Sequence, residues 1–170
     1  MKKNLSILIL VLFCFVANAQ TEKINPEKKS FKITRQSMIQ FKTQDSINPD
    51  YEILKGAKND FVFEYNFNAA ENPELSDDEF FQSITFQVST KGNKFEYKGD
   101  KIKQAKMLFH IGCFCPESGT YFIQNGNLKG KKMNAKTWRV TLDFTYYPRN
   151  SQYAEPVFKK LSANFIVSTK

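Results

Sequence analysis

The chain has 170 residues, with 25 Lys and Arg against 17 Asp and Glu, a formal net charge of +8, one histidine and three cysteines. That length is one ordinary domain, large enough to bury a core without disulfides. The lysines are scattered, so no basic tract of the nucleic-acid type is present, and a single histidine would have to serve any Ser-His or Cys-His arrangement.

The first residues read as an export signal. Lys2 and Lys3 form a positive start, Leu5 to Val16 is apolar except for Ser6, and Ala17-Asn18-Ala19 is a small-x-small cleavage site. Cleavage after Ala19 leaves 151 residues carrying +6, because the signal holds two lysines and no acid. The apolar stretch is short of the about 20 residues a transmembrane helix needs. Leu12-Phe13 before Cys14 do not suit a lipoprotein signal, so Cys14 belongs to the discarded segment. The expectation is a soluble protein, periplasmic or extracellular, that does not span the membrane. Residues 20–30 are polar and read as a loose N-terminal arm, and residues 31–170 as a single domain.

Period-two alternation governs that domain. Phe31, Ile33, Ile39 and Phe41 share one parity. Phe61, Phe63, Tyr65 and Phe67 form a second stripe, and Phe80, Ile84, Phe86 and Val88 a third. Phe95 and Tyr97 follow the turn TKGN. Met107, Phe109, Ile111, Cys113 and Cys115 share a face, and Tyr121 and Ile123 begin another stripe. Asn125-Gly126 has the composition of a two-residue hairpin turn. Trp138, Val140, Leu142, Phe144 and Tyr146 alternate most cleanly, and Leu161, Ala163, Phe165 and Val167 close the chain. About eight such strands, rich in Phe, predict an all-β fold: an antiparallel β-sandwich, with a flattened β-barrel as the alternative. Two short helical turns are expected, over Ser76–Phe81 from its capping-box spacing and over Glu155–Leu161 from Pro156.

Four groups of residues could carry function. Cys113 and Cys115 point to one face, and a regular strand holds such residues about 6.6 to 7 Å apart, too far for a disulfide. Gly112 allows a bend that would close the bond. The pair reads as core residues, a local disulfide, a link to another chain, or metal ligands. In the last case Met107, His110, Cys113 and Cys115 form a soft set of the kind that holds Cu(I), although His110 has the wrong parity. Glu71, Glu74, Asp77, Asp78 and Glu79 form an acidic segment that reads as a solvated loop or a calcium loop, without EF-hand spacing. Tyr147, Arg149 and Tyr153 end the cleanest strand and could stack on a sugar or a protein partner.

No nucleophile elbow or other catalytic motif is present. The sequence therefore points to an exported, non-catalytic binding or accessory module of the bacterial envelope, with no cofactor. Its partner would be polysaccharide, lipid or protein, and not nucleic acid. The alternative is a thiol-redox or copper-handling protein built on Cys113 and Cys115.

Overall fold

The computed structural model describes residues 24–42, 49–148 and 155–167. The expected signal segment, residues 1–19, lies outside them, as do Arg149 and Tyr153.

The protein is nearly all β. Its strands are β1 (Lys28–Arg35), β2 (Ser37–Phe41), β3 (Tyr51–Lys55), β4 (Asp60–Asn68), β5 (Phe80–Ser89), β6 (Lys94–Lys98), β7 (Leu108–Cys113), β8 (Gly119–Phe122), β9 (Gly126–Lys132), β10 (Thr137–Tyr146) and β11 (Val157–Val167). Nine of them form one sheet in the order β6-β9-β10-β11-β1-β4-β5-β7-β8, curled into a half-barrel. All its pairings are antiparallel except β1 with β11, which run parallel. The sheet is therefore mixed, which alternation along single strands could not reveal.

The curl brings the sheet's inner faces together. Phe95 of β6 meets Phe63 of β4 at 5.6 Å between ring centroids, and Phe109 of β7 meets Phe144 of β10 at 5.3 Å. Phe63 stacks on Phe86 at 4.8 Å and touches Trp138 and Phe165 edge-on. Most of the apolar stripes supply this core, because one face of each pleated strand is buried. A 3₁₀ helix, Gly99–Ala105, closes one end with the buried side chains of Ile102 and Ala105.

Strands β2 and β3 form a hairpin of their own. It covers the outer face of β4 and β5: the Ile39 amide donates to Gln87 Oε1 at 2.9 Å, and the Tyr51 and Thr85 hydroxyls lie 3.2 Å apart. Phe41 packs edge-on against Phe122. This second layer explains why Val62 and Leu108, on the outer parity of their strands, are buried. Ile33 and Ile39 therefore enter different layers. Gln36, at φ 52°, breaks the strand between them.

Several expectations change. Strand β1 starts at Lys28, inside the segment read as a loose arm, and Asn25 forms an isolated bridge with Glu71. Ser76 and Asp77 lie in turns, with Asp77 at φ 68°, and no helix forms there. The expected helical turn over Glu155–Leu161 is instead the start of β11. Asn125-Gly126 joins β8 to β9, which are not neighbours, so it makes no hairpin. Gly126 is needed for another reason: a Cβ there would collide with the Asp143 carbonyl of β10.

Candidate functional site

The most distinctive surface lies where β5, β7 and the loop after Cys113 meet. In register, Phe81 of β5 faces Gly112 of β7, and Ser83 faces His110. Gly112 has no side chain, so the Phe81 ring lies across it and reaches the His110 ring at 5.3 Å between centroids. His110 Nδ1 is 2.8 Å from the Thr120 hydroxyl of β8. Partial burial holds the His110 imidazole below the usual histidine pKa, because desolvation disfavours the charged ring.

The strand ends at Cys113, and Cys113 and Cys115 are joined by a disulfide. Their Cα atoms stand 5.2 Å apart, less than the about 6.6 Å of a regular strand, because the chain leaves the strand after Cys113 and bends at Phe114 and Cys115. Of the four readings of this pair, the structure shows the local disulfide, with Cys113 also packed against the core. Phe114 sits at the apex of the small ring and is 87% exposed. Pro116, directly after Cys115, is also exposed. Asp77, Glu79, Phe81, His110, Cys113 and Phe114 together line one depression.

Three separate sequence signals thus converge: the acidic segment, the lone histidine and the cysteine pair. The metal sets do not assemble. Met107 is 1% exposed in the core, whereas His110 lies on the outer face, and each cysteine sulfur is bonded to the other. Of the expected calcium ligands, Asp78 accepts the Asn72 amide at 2.6 Å, and the Glu71 backbone is held by Asn25. Among the described residues no three His, Cys, Asp or Glu side chains converge in a way that suits a metal ion.

Tyr147 is exposed and lines a second depression with Tyr121, Phe122, Tyr146 and Pro156, at the end of β8 and β10. The Tyr121 and Tyr146 rings are 4.9 Å apart, and burial raises the Tyr146 phenol, with Tyr121 and Glu117 adding to the shift. Sequence reasoning found Tyr147 but passed over Phe114 and Phe81. Both were legible. Adjacent Phe80 and Phe81 cannot both face inward, and a residue between two cysteines of inward parity must face out.

No helix among the described residues is long and apolar enough to cross a membrane. Comparison with known proteins finds no matching family model, no matching curated protein and no matching solved structure.

Proposed function

We propose that this chain is an exported, non-catalytic binding or accessory module of the bacterial envelope, and that the Phe114 apex with Phe81 and His110 is its contact surface. One observation carries this reading: a phenylalanine almost fully in water at the tip of a ring closed by a disulfide. Leaving such a side chain in water forgoes about 1.5 to 3 kcal/mol of burial. A partner that covers it recovers that energy. The ring holds Phe114 in place beforehand, which lowers the entropy lost on binding. Aromatic anchors of this kind commonly dominate interface energetics.

The test is a binding measurement on purified protein and on Phe114→Ser, against solubilised envelope proteins, envelope polysaccharide and lipid vesicles. The expected result is one partner class bound by the wild type and lost by at least about tenfold in the variant, with unchanged melting. Equal binding by both proteins, or turnover of a substrate by either, would sink the proposal.

A second reading rests on the same disulfide. Its two half-buried cysteines line an open depression with the exposed Phe114 and Pro116, in a protein read as exported to an oxidising compartment. An external dithiol could reduce it. One thiolate attacks a cysteine sulfur and displaces the other as thiolate; the partner's second thiol then resolves the mixed disulfide and leaves oxidised. Mild dithiol should then release two thiols per native chain. Reduction that occurs only together with unfolding removes this reading.

A further inference from the structure

Among the described residues nothing comparable to the β2–β3 hairpin covers the outer face of β6, β9, β10 and β11, and the charges of that face are laid out in register. Lys94 of β6 faces Lys131 of β9, Lys131 faces Arg139 of β10, and Arg139 faces Asn164 of β11. All three cations are exposed. Neighbouring strands are about 4.8 Å apart, so three positive charges line up over roughly 10 Å. Like charges directly opposite in a sheet are destabilising.

The acids nearby do not relieve this row. Glu96, in the next row, is taken by Lys129 at 3.0 Å and Lys98 at 3.2 Å. Asp143, one row further, accepts from the Asn127 amide at 2.7 Å. Among the described residues neither Lys94 nor Lys131 enters an ion pair. Arg139 donates through Nε to Asn164 Oδ1 at 3.3 Å, which leaves its terminal nitrogens as donors. Lys94, Lys131 and Arg139, with Lys129, Thr141 and the Glu96 already paired to Lys129 and Lys98, rim a shallow depression of about 530 Å³ floored by Gly130. That volume lies in the range of small-ligand sites.

We propose that Lys94, Lys131 and Arg139 form a binding site for a linear anionic polysaccharide, one bearing carboxylate or sulfate groups. The row supplies the spaced positive charge, and the arginine fork fits a planar or tetrahedral oxyanion. Thr141, Ser162 and Asn164, on the same face, offer partners for sugar hydroxyls. A membrane surface fits less well: apart from the buried Phe95, no large apolar side chain lines the depression to enter the headgroup layer. This site is separate from the Phe114 surface, and neither depends on the other.

The experiment compares purified wild type with Lys94→Ala/Lys131→Ala and with Lys101→Ala/Lys103→Ala. The second pair removes equal charge from exposed positions in the 3₁₀ helix. Each protein is titrated with polygalacturonate, with heparin, with neutral dextran and with phosphatidylglycerol vesicles. The expected result is binding to at least one of the two polyanions and not to dextran, weakened at least about tenfold by the row variant and less than about twofold by the control pair. The row variant should melt no lower than wild type, since a like-charge contact has been removed. Equal losses in the two variants would mean that only net charge matters, and would overturn the site. No polyanion binding, or vesicle binding alone, would overturn it as well.

Discussion

The Phe81 ring occupies the space that a side chain at Gly112 would need, and Phe95 does the same over Gly130. In both cases ring and glycine are direct cross-strand partners. The two sites differ in where the ring can go. Phe81 is 42% exposed and can swing into water, whereas Phe95 is 8% exposed and held by Phe63 and Trp138. Gly112→Ala should therefore cost about 1 kcal/mol or less, while Gly130→Ala overpacks the core at about 1 to 3 kcal/mol. Urea denaturation of the two variants checks the order. Equal losses would mean that Phe81 is as confined as Phe95.

Trp138 is 2% exposed, 5.5 Å from Phe95, 6.0 Å from Phe61 and 6.3 Å from Phe63 between ring centroids. Trp138→Ala should lose about 3 to 5 kcal/mol, a large share of the roughly 5 to 15 kcal/mol a domain has. Arg139→Ala, on the outer face, should change stability by about 0.5 kcal/mol or less. Thermal melts of both variants decide it. A Trp138→Ala protein that melts like wild type contradicts the packing described above.

The legible part of this fold is local. The stripes at Phe61–Phe67 and Trp138–Tyr146 needed only strand parity, and both line the core. What parity could not show is which strands are neighbours. Ile33 and Ile39 look like one strand, yet the turn at Gln36 sends them to opposite sides of the sheet. Strands β3 and β9 were missed for a related reason. β9 reads GNLKGKK, and Gly130 stands where an apolar residue would mark the stripe, because Phe95 fills its place from the next strand. The candidate site was likewise legible in parts and not as a whole. His110 and Cys113 share β7, but Asp77 lies more than thirty residues earlier in the chain, and only the pairing of β5 with β7 brings it to their depression.

His110 makes stability depend on pH in a definite direction. Burial depresses its folded-state pKa below the ordinary value of about 6.5. The unfolded chain therefore binds the proton more readily than the folded one. The stabilisation is complete above about pH 6.5 and is lost as pH falls through the folded-state value. Melting temperatures taken from about pH 7 down to about pH 5 should fall for the wild type. His110→Gln can still hydrogen-bond to Thr120 but does not titrate, so it should show a smaller fall over that window. Parallel curves would assign the acid sensitivity to other groups.

The size of the Cys113–Cys115 ring indicates what that disulfide does. The bond closes a loop with a sequence separation of 2. In the chain-entropy account a cross-link stabilises by restricting the unfolded chain, and the gain grows with the logarithm of loop length. A 15-residue loop gives about 3 kcal/mol, and a three-residue loop about 1.6 kcal/mol at most. This disulfide is therefore a weak staple, in a domain whose aromatic core is already extensive. Its larger effect is local, because it fixes the turn that holds Phe114 out in water. Cys113→Ser/Cys115→Ser should accordingly lose about 1.5 kcal/mol or less in denaturant unfolding. The same variant should lose most of any binding that Phe114→Ser loses, since a free turn can fold the ring back against Pro116 or Phe81. Limited proteolysis gives a third readout: cleavage after Phe114 should be faster in the serine variant than in wild type. A stability loss above about 3 kcal/mol, with proteolysis unchanged at Phe114, would make the bond a structural staple and leave Phe114 positioned by other contacts.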